Sequence, residues 1–152
     1  MSAEPVVDPE VLRSARERAG LTQHELARLI GVAGGERISR WELGTSRPRG
    51  YKVLHRLADV LGVEPDALLV PAREGPDLRR LRFIAGLSTR ELAKRARMSE
   101  GNLSHWEAGH AMRIPTRAAL KPLARALGVT IEEVERAVVR SRQFRGGSGT
   151  GG

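Results

Sequence analysis

The sequence predicts an all-α chain built from two tandem copies of one five-helix unit. The first observation is internal repetition. Residues 12–32 (LRSARERAGLTQHELARLIGV) and 78–98 (LRRLRFIAGLSTRELAKRARM) coincide at an offset of 66, through Leu12/Leu78, Arg16/Arg82, Gly20/Gly86, Leu21/Leu87, Glu25/Glu91, Leu26/Leu92 and Ala27/Ala93. ISRWELG (38–44) matches LSHWEAG (103–109) at an offset of 65, and LADVLGV (57–63) matches LARALGV (123–129) at 66. Self-similarity at a fixed period marks a duplicated unit of about 60 residues. The second observation is periodicity: apolar residues recur three and four apart between capping signals, and no strand alternation appears. The third is composition. With 40% hydrophobic and 29% charged residues the chain is globular. Its 3% aromatic content requires a core of Leu, Val, Ile and Ala.

Each element follows from local chemistry. Asp8-Pro9 pairs a capping carboxylate with a proline at the first helical position. Leu12, Ala15 and Ala19 continue that helix to Gly20. Thr22 to Glu25 and Ser88 to Glu91 are capping boxes that start short second helices. Leu26, Ala27 and Ile30, or Leu92, Ala93 and Ala96, form their apolar faces. After a turn, third helices carry Ile38 and Trp41, or Leu103 and Trp106, and Gly44 and Gly109 close them. Both tryptophans are read as core anchors. Fourth helices hold Leu54, Leu57, Ala58 and Leu61, or Leu120, Leu123, Ala124 and Leu127. Pro122 predicts that the second of these starts or kinks there. Fifth helices begin at Glu64-Pro65 and at the box Thr130 to Glu133.

This organisation predicts a disordered tail over 1–7, a first domain over 8–70, a linker over 71–76, a second domain over 77–144 and a flexible Gly-rich tail over 145–152. The joining stretch from Pro71 to Asp77 is proline-stiffened and spans at most about 25 Å. Net charge is +8, and 23 of the 26 basic residues are Arg. Residues 1–75 carry 11 basic and 11 acidic residues, whereas residues 76–152 carry 15 and 7. An Arg-rich excess suits an anionic partner, since guanidinium pairs bidentately with phosphate and guanine. Without Cys, thiolate metal sites, disulfides and a cysteine nucleophile are excluded. No apolar run reaches membrane-spanning length and no signal-peptide pattern opens the chain, so a soluble cytoplasmic, nucleoid-associated protein without a membrane partner is expected. His24, His55, His105 and His110 lack metal-ligand spacing, Gly34-Gly35 lacks a Walker loop, and Ser148 lacks a nucleophile elbow. Neither an enzyme activity nor a cofactor or metal is expected.

Two short helices joined by a tight turn form a helix-turn-helix pattern. At 100° per residue from Ile38, Trp41 and Glu42 lie within about 60°, toward the domain, while Glu36 and Arg40 point away, near 160° and 200°. Arg37 and Ser39 flank them. The second unit presents Gly101 and His105, flanked by Asn102 and Ser104. Glu36, Arg37, Arg40, Asn102 and His105 are therefore the candidate base contacts. Bland readings stand beside these: Glu36 and Arg40 as a surface pair, Asn102 as a helix cap, His105 as a solvated side chain, and Arg79, Arg80 and Arg82 as a solvated face. The run Arg136, Arg140, Arg142 and Arg145 reads as a charged helix that extends the footprint.

Each unit resembles the phage-repressor/Cro class of helix-turn-helix domain, the xenobiotic-response-element family. The resemblance rests on R-x-x-x-G-L-[TS]-x-x-E-L-A, then [IL]-S-x-W-E-x-G, then L-A-x-x-L-G-V, and covers residues 9–70 and 77–140. It implies lambda-repressor-like five-helix domains whose third helix enters the DNA major groove. It also implies phosphate contact by Gln23, replaced by Thr89 in the second unit, and backbone contact by Arg47, Arg49 and Arg113. Ser39, Arg90 and Ser104 complete the backbone set. Structural salt bridges are implied for Arg16–Glu42 and Arg82–Glu107. The first turn is one residue longer than the family pattern, and glycine's cost of about 1 kcal/mol in a helix interior predicts a late start for that third helix. Glu100 would repel phosphate unless it accepts from a cytosine amino group.

The implied function is a transcriptional regulator, repressor or activator, that reads double-stranded DNA with two unlike faces. A homodimer or a regulatory protein remains open as a further partner. The alternative is a protein-interaction adaptor or antitoxin-like module in which one domain no longer reads DNA. The net-zero first half and its lengthened turn motivate that alternative.

Overall fold

A computed structural model describes residues 4–148, of which 144–148 are described as backbone alone. It is all-helical apart from one isolated bridge, and it divides into two compact units, Pro5–Pro71 and a second that begins at Ala72.

The first unit contains α1 (Pro9–Arg18), α2 (Gln23–Ile30), α3 (Gly35–Leu43), α4 (Tyr51–Leu61) and a 3-10 turn (Pro65–Leu68). Asp8 caps α1 by accepting from Glu10 N at 3.0 Å and Val11 N at 3.4 Å. The Thr22–Glu25 box is reciprocal: Thr22 Oγ1 accepts from Glu25 N at 3.0 Å, and Glu25 Oε1 accepts from Thr22 N at 3.3 Å. Such caps satisfy amides that the first helical turn leaves without partners. Packing of α2 on α3 and α4, and of α1 on α3, buries Leu12, Leu26, Ile38 and Leu57 completely. Each such side chain contributes about 1.5–3 kcal/mol by leaving water.

The second unit contains α5 (Leu78–Ala85), α6 (Thr89–Arg95), α7 (Glu100–Glu107), α8 (Arg117–Leu127) and α9 (Ile131–Ser148). Its core joins Leu78, Leu92, Leu103, Leu120, Leu123 and Val134, with Trp106 packed against it half-buried. Where the first unit has a 3-10 turn, this unit has a full helix, and α9 packs on α5, α7 and α8. Buried Ser141 on α9 accepts from Leu78 N at 3.2 Å and donates to Ala137 O at 3.1 Å. The hydroxyl thereby supplies a partner to the first amide of α5.

Three expectations are corrected. Val7 is buried and forms an antiparallel bridge with Leu69, flanked by Val70 N donating to Val6 O and Asp8 N donating to Leu68 O, each at 2.8 Å. The predicted tail over 1–7 thus enters the fold at Val6 and Val7, a two-residue apolar pair too short to show periodicity; residues 1–3 lie outside the described residues. At the other end, α9 runs through Gly146 and Gly147 to Ser148 instead of giving way to a flexible tail at Arg145. A nucleated helix gains one hydrogen bond per added residue, which offsets the glycine cost. Residues 149–152 lie outside the described residues. Finally, the start expected at Pro122 is corrected: α8 starts at Arg117 and carries Pro122 inside it, and Thr116 Oγ1 caps that earlier start by accepting from Ala119 N at 3.3 Å. That cap and the strong helix formers Ala118, Ala119 and Leu120 outweigh one missing N–H.

Candidate nucleic-acid interface

The outward faces of α3 and α7 are built the same way in both units. In α3, Ile38 and Trp41 are buried, and Glu36, Arg37 and Arg40 are exposed, with Ser39 half-buried. In α7, Leu103 is buried, while Glu100, Gly101, Asn102, Ser104 and His105 are exposed. Arg47, Arg49, Arg90 and Arg113 are exposed and Thr89 is half-buried. The His105 ring lies 5.1 Å from that of His110, tilted by 32°. The C-terminal end of α3 is held at the Arg40 carbonyl, which accepts from Thr45 N at 3.0 Å and Thr45 Oγ1 at 3.3 Å.

Both faces are anchored by a charged cluster beneath them. Arg16 on α1 makes a two-pronged pair with Glu42, Nε to Oε2 at 2.6 Å and Nη2 to Oε1 at 2.9 Å. Its Nη1 donates to Leu21 O at 2.8 Å, closing the turn between α1 and α2. The Glu42 hydrogen bond raises Arg16 above its ordinary pKa. Arg82 repeats all three contacts, to Glu107 at 2.8 and 2.9 Å and to Leu87 O at 3.1 Å. Bidentate guanidinium–carboxylate geometry fixes orientation as well as energy, so the third helix of each unit is held against its first helix through the Glu of the Trp-Glu step. These cations are neutralised inside the fold and contribute nothing to an anion-facing surface.

The third partner of each carboxylate differs between the copies. In the first unit Gln23 Nε2 donates to Glu42 Oε1 at 3.1 Å. The Gln23 amide carries two N–H donors and this contact uses one of them, so the side chain is held at the head of α2 with a second donor left over. In the second unit Thr89 stands in place of Gln23, and Arg79 approaches Glu107 instead, with Nε 3.5 Å from Oε1. Arg82 is therefore buried and Arg79 half-buried, so the expected solvated face of arginines does not include Arg82. The approach of Arg79 to Glu107 is not read from the sequence, although Arg79 lies three residues before Arg82 and so shares its helix face.

Two further expectations change. Ser99, not Asn102, caps α7, because Asn102 N donates to Ser99 Oγ at 3.1 Å. The Asn102 side chain is thereby left on the outward face. The third helix of the first unit does not start late: α3 begins three residues before Ile38, as α7 begins three residues before Leu103. The extra residue is taken up in the turn, where Gly34 caps α3 at φ +90°. Gly35 matters for a different reason: a Cβ there would lie 3.0 Å from His24 N and 3.2 Å from His24 Cα. Gly35→Val is expected to destabilise the first unit by about 1–3 kcal/mol, through this clash with packed backbone. Thermal denaturation followed by Trp41 fluorescence checks it, and an unchanged midpoint would show that the α2–α3 approach can relax.

The Arg run of α9 is partly consumed locally. Arg140 Nη1 donates to Pro76 O at 3.2 Å, and Arg142 Nη2 donates to Met112 O at 3.4 Å. On the α8–α9 surface Arg117 Nη2 donates to Glu132 Oε1 at 2.8 Å and holds that carboxyl below the ordinary carboxylate range. Among the described residues no group of three or more His, Cys, Asp or Glu could hold a metal ion, and no helix is long and apolar enough to cross a membrane.

Residues 10–70 and 75–137 each match the family model described as a helix-turn-helix domain. No curated protein and no solved structure matches the chain.

Proposed function

The chain belongs to the helix-turn-helix domain family in both of its halves, and from that premise we propose that it is a transcriptional regulator of the phage-repressor/Cro class that reads double-stranded DNA in a sequence-specific manner. The observation that carries this reading is the pair of exposed, unlike faces on α3 and α7, anchored from behind by an Arg–Glu pair that is partly buried in the first unit and buried in the second. A third helix held by its apolar side and exposed on its polar side is shaped to enter a major groove. Arg37 and Arg40 would read guanine, Asn102 would read adenine, and Glu36 and His105 complete the base-reading set.

Arg47, Arg49, Arg90 and Arg113, with Gln23, Ser39, Thr89 and Ser104, would hold the phosphate backbone. Because the faces differ, the site is an asymmetric pair or a direct repeat, not a palindrome. Tethering places the second domain at a local concentration around millimolar once the first is bound. The exposed cations predict a salt signature. Replacing any one of Arg47, Arg49, Arg90 or Arg113 by Ala is expected to weaken binding evenly across sequences and to lower the slope of log K against log salt by about 1. An unchanged slope would remove that residue from the backbone set.

The direct experiment is selection of bound duplexes from a random pool by the full-length chain. Enrichment of one composite motif with two unlike halves supports the reading. Enrichment of nothing overturns it, and a motif with a single half favours a chain in which one domain serves as a protein-interaction module.

A further inference from the structure

One glycine has no reason inside the fold. From Gly20 to Gly128 every other glycine either adopts a positive φ or, at Gly35, meets the backbone of a neighbouring helix. Gly101 does neither. It is the second residue of α7, its φ is not among the positive ones, it is exposed, and a Cβ added there would meet nothing within 4 Å. Glycine inside a helix lowers helix stability relative to alanine. Here the fold gains nothing in return. A bare backbone on an exposed face is suited to close approach by something outside the chain.

The surroundings point the same way. At 100° per residue Gly101 and His105 share the outward side of α7, with Asn102 beside them, and His105 stands next to the His110 ring. The residue aligned with Gly101 in the first copy is Glu36. The first copy carries long Arg37 and Arg40 on its outward face, whereas the second carries the shorter Asn102 and His105. Short side chains reach a base edge only if their helix lies closer to it.

We propose that Gly101 is the point of closest approach between the α7 backbone and duplex DNA. The notch left by its missing side chain admits a base-pair edge and makes Gly101 a specificity-determining position of the second copy. This inference rests on the duplex-reading function proposed above. It assigns the two copies different depths of entry, the first reading at the reach of Arg and the second at the reach of Asn and His.

The test compares the full-length chain with Gly101→Ala and Gly101→Leu, using the duplex that the unaltered chain enriches from a random pool. Affinity is read by fluorescence anisotropy and folding by thermal denaturation. Gly101→Ala is expected to raise the melting temperature by about 2–4 °C while weakening binding about tenfold. Gly101→Leu is expected to fold and to bind more weakly still. Affinity within twofold of the unaltered chain for both variants would overturn the inference and leave the duplex-reading function standing. A lower melting temperature for Gly101→Ala would also overturn it, since the glycine would then have a role within the fold. If the unaltered chain enriches no duplex, both the function and the inference fall.

Discussion

Replacing Glu107 by alanine is expected to destabilise the second unit by about 3–5 kcal/mol, the cost of leaving a buried charge without its partner. Glu107 is 2% exposed and Arg82 is 8% exposed. The variant keeps the Arg82 contact to Leu87 O but strands the rest of that buried guanidinium, and it removes the carboxylate that half-buried Arg79 approaches. Glu107→Gln separates charge from shape: the amide fills the same space and can still accept a hydrogen bond, so a smaller loss is expected. Glu42→Ala should cost less than Glu107→Ala, because its cationic partner Arg16 is single and more exposed. Each unit holds one tryptophan, so denaturant titration followed by Trp106 or Trp41 emission, each with the other replaced by Phe, assigns the loss to its unit. A loss below about 1 kcal/mol for Glu107→Ala would class the pair with exposed salt bridges and would remove the anchor on which the orientation of α7 is argued.

The double replacement Arg37→Ala with Arg40→Ala is expected to weaken binding of a selected duplex by about 10²–10³-fold. Each bidentate contact to guanine discriminates by about 1–3 kcal/mol, and separated contacts add roughly. Both side chains are exposed on α3, and Ile38 and Trp41 make its apolar face, so stability should change by less than about 0.5 kcal/mol. The loss should fall on one half of the composite motif, leaving base preference in the other half intact. Binding within threefold of the unaltered chain, at unchanged stability, would show that α3 does not read DNA through these arginines.

The features legible in the sequence are local or doubly sampled. Capping at Asp8, Thr22, Ser88 and Thr130 depends on residues two or three positions apart, and each cap is formed. The buried sides of α3 and α7 follow from helical spacing around Ile38 and Leu103, and the duplication presents the same pattern twice. What stayed hidden depends on contacts between distant segments. Gln23 turns to Glu42 and Arg79 turns to Glu107 because of how helices approach across 19 and 28 residues of chain, respectively. Ser141 meets the start of α5 across 63 residues. The late start predicted for α3 failed because a glycine pair was weighed only by its helix cost. In the fold one glycine takes the positive φ of a cap, and the other lets two helices come within 3.0 Å of a would-be side chain. The Arg82–Glu107 pair is implied by the family resemblance and is formed, whereas counting Arg79 as a solvated charge overlooks its approach to the same buried carboxylate.

The central claim is that one chain carries two unequal readers of duplex DNA. Its most direct test is hydroxyl-radical footprinting of the selected duplex by the full-length chain, by Arg37→Ala/Arg40→Ala and by Asn102→Ala/His105→Ala. The account predicts two protected segments of unlike sequence, the first lost in one double variant and the second in the other. A single protected segment, or two segments that respond identically to both variants, would contradict it.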